Sequence, residues 1–154
     1  FVLRWPAAVQ PGTVVAAPVS TLDIFATALA VAGAQPAPGH APDGLSLLPL
    51  LRGDASGFES RVLHWRDGGS KANKWAVRQG PWKLVRSGTL AQPGPLELYN
   101  LKEDIAETAS VLDAHPDVAA RLQKLHDDWN AQLVEPLFQS PNAAKKAKNK
   151  KLER

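Results

Sequence analysis

Apolar positions along the 154 residues fall into runs whose spacing changes twice. Phe1-Val2-Leu3-Arg4-Trp5 is a short apolar run stopped by Pro6 and predicts a buried strand. Residues 6–19 are rich in Pro, Gly and Val without helical period and read as a loop. Ser20-Thr21-Leu22-Asp23 is a capping-box-like start, a hydroxyl for orphan amides followed three residues on by an acid. Leu22, Phe25, Leu29 and Ala32 then predict a helix, with Gly33 as the residue just past its end. That helix is apolar nearly all round, so it is expected to be buried on several sides. A Pro/Gly loop over 34–44 leads to a short apolar turn, Leu45–Leu51, where Ser46 serves as a cap and Gly53 closes the turn.

The period then shortens to that of strands. Arg61–Trp65, Trp75–Gln79 and Trp82–Arg86 are strand-like, and the last two are joined only by Gly80-Pro81, a tight hairpin signal. Leu96–Leu101 follows a Gln-Pro-Gly-Pro turn. Four neighbouring runs with short links predict an antiparallel meander. The helical period returns after Pro116. Val118, Leu122, Leu125, Trp129 and Leu133 form one stripe, and Pro136 is the expected stop. The fold class is therefore α+β: a small four-stranded antiparallel sheet packed by a long C-terminal helix.

Charge changes this picture at one end only. Eighteen Lys+Arg against 15 Asp+Glu give +3 overall, yet residues 143–154 alone hold six Lys/Arg and one Glu. The remaining chain carries 12 cations against 14 anions and is slightly acidic. Residues 139–154 read as a disordered basic tail. The tail lacks aromatics to stack on bases, which makes nucleic acid a poor partner for it. No apolar run approaches the ~20 residues of a membrane helix, so no membrane partner is expected. The absence of cysteine and methionine excludes disulfides, a thiolate zinc site and a cysteine nucleophile from these residues. The chain opens without Met on an apolar run, which suggests a piece of something longer.

Little in the residues looks like self-sufficient chemistry. The four histidines, His40, His64, His115 and His126, show no ligand-like spacing. There is no G-x-S-x-G elbow and no phosphate-binding glycine loop. The one cluster that stands out runs from His64 to Lys74 and holds His64, Arg66, Lys71 and Lys74 around Gly68-Gly69. It reads either as an anion-facing loop or as a solvated strand connection with His64 half-buried beside it.

The order of segments carries a resemblance. RWPAAVQPGTVVAAPVSTLDIFATALAVAGA, then DGLSLLPLLRG, then LHW…AVRQGPWKLV, then ELYNLKEDIAET and a Trp-containing terminal helix together resemble the C-terminal part of sulfatases. These are the formylglycine-dependent, arylsulfatase-like enzymes of the alkaline phosphatase superfamily. The resemblance covers residues 1 to about 138. It implies that 1–57 are the end of a large α/β domain, with its last strand and helix, and that 58–138 are the small antiparallel-sheet subdomain. It implies a parent enzyme that hydrolyses sulfate esters of a small molecule or glycan with formylglycine and calcium, and a missing N-terminal domain that carries both. By family habit such enzymes are periplasmic or secreted.

No C-x-P-S-R or S-x-P-S-R stretch is present, so no catalytic residue and no metal ligand is assigned. This piece alone is expected to be inactive, completing the fold and walling the substrate cleft. His64, Arg66, Lys71 and Lys74 become candidates for touching a sulfated substrate. The D-P-x-E-x-x-N-L pattern of relatives reads here as Asp104-Ile105-Ala106-Glu107-Thr108-Ala109-Ser110-Val111, and the lost Pro and Asn are expected to loosen that turn. Two other classes fit less of the chain: a non-catalytic module that binds polyanions through the tail, and a phosphodiesterase or phosphonate hydrolase of the same superfamily. On the fragment reading, the strand at 1–5 and the helix at 21–33 should expose an apolar patch.

Overall fold

The computed structural model describes residues 1–67, 74–89 and 91–134. They divide into two compact units, Phe1–Arg61 and the part that begins at Val62. The tail expected over 139–154 and the candidate Lys71 lie outside the described residues.

The first unit holds three helices, α1 (Leu22–Ala32), α2 (Leu48–Leu51) and α3 (Ser56–Glu59). Its start departs from expectation, because residues 1–5 form no strand. A strand exists only through a neighbour that satisfies its amides and carbonyls. Among the described residues the only sheet is the four-stranded one of the second unit. The capping box at the start of α1 is present: Leu22 N–H donates to Ser20 Oγ at 3.3 Å and Ser20 N–H to Asp23 Oδ2 at 2.7 Å. Gly33 ends the helix at φ +62, with Ala34 N–H bonded back to the Leu29 carbonyl.

Burial of α1 departs from the helix pattern taken alone, which predicts burial on several sides, and agrees with the exposed apolar patch expected over 1–5 and 21–33. Asp23 and Ala26 are its buried residues, while Leu22, Ile24, Phe25 and Val31 are each more than half exposed, as are Phe1 and Val2. An all-round apolar helix needs surfaces on several sides, and the first unit's own core draws no residue from it. That core is Leu47, Leu50 and Phe58, flanked by Ala17, Val19, Leu51 and Ala55.

The second unit is a meander. β1 (Val62–Asp67), β2 (Lys74–Gln79), β3 (Trp82–Gly88) and β4 (Pro93–Asn100) lie in sequence order, each antiparallel to the next. Gln79 pairs with Trp82 across the two-residue Gly80-Pro81 link. β3 and β4 run further than the apolar pattern suggests, through a register shift between Arg86 and Gly88 that lets Gly88 pair with Pro93.

The register places Val62, His64 and Arg66 of β1 on the same face as Trp75 and Val77 of β2 and Leu84 and Arg86 of β3. α4 (Pro116–Asn130) covers this face. Trp75, Val77, Leu84, Leu98, Ala119 and Leu122 form the core, and Val77, Leu84, Leu98 and Leu122 are fully buried.

α4 stops at Asn130, short of the expected Pro136. Its last turn tightens to i→i+3 bonds, Gln132 N–H to Trp129 O and Leu133 N–H to Asn130 O, both at 3.1 Å. The Gln132 side chain takes the Asp128 carbonyl at 3.0 Å. Leu133 thus leaves the stripe and is exposed.

The turn after β4 is not loose, contrary to expectation. The Asp104 carboxylate accepts the amides of Thr108 at 2.7 Å and Ala109 at 3.0 Å and so replaces the missing Pro and Asn as a restraint. The Ala109 amide and then that of Thr108 hold this carboxyl below its ordinary pKa.

Candidate functional site

Three of the four sequence candidates fall on described residues, and strand alternation separates them. His64 and Arg66 are two apart on β1 and both face α4. Lys74 pairs with Asp67 at the far end of β2, in register with the other face of the sheet, and is exposed. His64 and Arg66 therefore form one corner with the C-terminal turns of α4, and Lys74 stands apart from it.

Four rings fill that corner. His64 stacks on Trp129 with centroids 4.6 Å apart and planes 8° from parallel. His126 stacks on Trp75 at 3.9 Å and 11°. His126 and Trp129, three residues apart on α4, meet at 6.0 Å in a tilted pair. Aromatic pairs of this kind are worth about 0.5–1.5 kcal/mol each beyond their buried area. Arg66 Nη1 donates to Asn130 Oδ1 at 2.9 Å and ties β1 to the last residue of the helix. Arg86, in register with Trp75, completes the strand side, and its Nε is buried without a partner.

Burial disfavours the protonated form of both imidazoles. Burial pushes the pKa of His64 down. His126, only 5% exposed, is pushed down first by burial; its neighbour Asp127 opposes this, and His64 and Arg66 add to it. The Nδ1 atoms of both rings are buried without a partner. A protonated ring would gain about 0.5–2 kcal/mol from an indole face. It would also bury a donor hydrogen on Nδ1 with no acceptor, at a cost of about 1–3 kcal/mol. Arg66 adds to the disfavour of a charged His126.

Sequence reasoning gave His126 no role beyond its lack of ligand spacing and placed Trp129 only in the packing stripe. The signal available was the His/Trp spacing of three on a helix whose stripe meets strands that carry Trp75 and His64.

A second polar centre lies in the first unit and went unread as a pair. Asp23, with 0% exposure, accepts Arg61 Nη1 at 2.8 Å and Nη2 at 3.0 Å, Ser20 N–H and, at 2.9 Å, Leu45 N–H. Burial by itself raises the carboxyl's pKa. The bidentate guanidinium and the Ser20 and Leu45 amides overcome this and hold it below its ordinary value. Gly44 permits the approach, since a Cβ there would sit 2.2 Å from the Leu22 carbonyl oxygen. Every oxygen of this carboxylate is engaged, so it is a structural hub and has no free lone pair for a ligand. Among the described residues, no group of three or more His, Asp or Glu is placed to hold a metal ion. No described helix is long and apolar enough to cross a membrane.

Comparison with known proteins fits this architecture. The chain is 40% identical to mouse steryl-sulfatase over 82 residues, 53% of this chain and 13% of that protein. It is 31% identical to N-acetylgalactosamine-6-O-sulfatase of Bacteroides thetaiotaomicron over 137 residues, 81% of this chain and 26% of that protein. The crystal structure of Ps i-CgsB superposes with a TM-score of 0.73 at 25% identity, covering 88% of this chain and 29% of that one. The chain thus spans less than a third of the length of each of these relatives. Residues 1–134 match the family model described as N-sulphoglucosamine sulphohydrolase, C-terminal, and the chain belongs to this family of sulfatase C-terminal regions.

Proposed function

We propose that this chain is the C-terminal portion of a sulfatase that hydrolyses sulfate esters, and that it completes the fold and walls the substrate cleft. The observation that carries the reading is the match of residues 1–134 to a sulfatase C-terminal family. The exposed apolar face of α1 supports it, because Leu22, Ile24, Phe25 and Val31 form the surface that a further domain of the same enzyme would cover. A sulfated glycan is the favoured substrate class. The relative aligned over the larger share of this chain is named as acting on N-acetylgalactosamine 6-O-sulfate.

The family chemistry calls for a formylglycine nucleophile and calcium, and the residues of this chain fit neither. There is no cysteine and no S-x-P-S-R stretch. The one fully buried carboxylate among the described residues, Asp23, is saturated. On this reading the nucleophile and metal ligands belong to other residues of the parent enzyme. His64 and Arg66, which share the α4-facing side of β1, are the proposed substrate-side contacts. Lys74 and Lys71 are the further candidates.

The test is activity by complementation. The 154 residues alone are expected to show no turnover of an aryl sulfate. A sulfatase polypeptide from which this region has been removed should regain turnover when the region is restored. Turnover by the chain alone would overturn the division of labour.

A further inference from the structure

We propose that the His64–Trp129 and His126–Trp75 stacks form an acid-released latch that holds the last two turns of α4 against strands β1 and β2. The geometry carries it. Both imidazoles lie flat on indoles, at 4.6 Å and 3.9 Å, and each presents a buried Nδ1 without a partner. A neutral ring tolerates this arrangement, since Nδ1 is then a bare lone pair. A protonated ring does not, because both nitrogens must donate.

The charged groups around the corner do not rescue the cations. Arg66 from β1 and Arg86 in register with Trp75 from β3 are themselves positive, and both imidazoles meet Trp129, so each adds to the other's cost of charging. From α4 only Asp127 opposes, and it is exposed and engaged by Gln123 at 2.9 Å.

The sign follows from linkage. Both folded-state pKa values lie below the ordinary histidine value of about 6.5. The opened state therefore binds more protons than the latched one as the pH falls through that window. The latch is closed above it and opens below it. Opening parts Arg66 from Asn130 and frees its guanidinium, so the availability of one proposed substrate contact becomes a function of acidity. The latch itself belongs to the fold and does not depend on the sulfatase reading.

The experiment uses the 154-residue chain, with imidazole NMR titrations, indole fluorescence and amide-exchange protection followed from pH 7.5 to 5. His64 and His126 should titrate below about 6.5. Protection at residues 126–130 should fall about tenfold or more in the same step, with quenching of the stacked indoles, while Leu84 and Leu98 amides hold. In the ring-preserving double variant His64→Phe/His126→Phe the step should vanish, and His40→Gln in the first unit should leave it intact. The single variant His64→Phe removes one prospective cation and should raise the His126 midpoint toward 6.5. Titration of both rings at or above 6.5 with the α4 amides unmoved would overturn the latch, as would a step that survives the double variant.

Discussion

The first unit buries a carboxylate completely and leaves four large apolar side chains of its main helix more than half exposed, whereas the second buries Val77, Leu84, Leu98 and Leu122 completely behind one amphipathic helix. Both belong to one chain and both are ordered, so the contrast lies in what orders them. In the first unit a single side chain, Asp23, fixes the start of α1, the Leu45 amide and Arg61. Apolar burial there is confined to a small cluster around Leu47, Leu50 and Phe58. In the second unit stability is spread over many interchangeable apolar contacts. A polar hub is directional and fails when one partner is removed; an apolar core loses stability in proportion to what is removed.

The contrast can be broken most forcefully at the hub. Asp23→Ala leaves Arg61 buried without its counter-charge and is expected to cost about 3–5 kcal/mol of first-unit stability by denaturant unfolding. The double variant Asp23→Leu/Arg61→Met should recover much of that loss. Leu84→Ala or Leu122→Ala should cost about 2–5 kcal/mol in the second unit, read the same way. Equal losses of amide protection in both units from either change would dissolve the distinction.

Acid sharpens the contrast further. The folded-state pKa of Asp23 lies below its ordinary value, so its contribution is complete above about 4 and is lost as the pH falls through the depressed value. First-unit protection should therefore fall at a lower pH than that of residues 126–130. Smallest of all, Lys124→Ala, which removes the exposed pair with Asp128 at 2.7 Å, should cost no more than about 0.5 kcal/mol.

What could be read from sequence follows the same division. The meander and the face of α4 are written in periods of two and 3.6 that a local window detects, and the Gly80-Pro81 link sets the central hairpin. The capping box of α1 was equally local. The Asp23–Arg61 pair spans 38 residues and leaves no periodic trace. Residues 1–5 have the composition of a strand, but composition supplies no partner. The stop of α4 at Asn130 was hidden because Gln132 and the i→i+3 bonds decide it, while Pro136 was the only visible breaker. The site corner was half legible. His64 and Arg66 could be placed on one side of a strand, whereas their partners Trp129 and Asn130 lie on an element more than 60 residues away in sequence.

The separation of Asp23 from Arg61 also matters for synthesis. Translation at roughly 5–20 residues per second delivers Arg61 roughly 2–8 s after Asp23. During that interval the nascent first unit carries a carboxylate whose own amides can cap it but whose counter-ion has not yet been made. The apolar surface of α1 is open throughout, since Leu22, Ile24, Phe25 and Val31 stay more than half exposed even once Arg61 has paired.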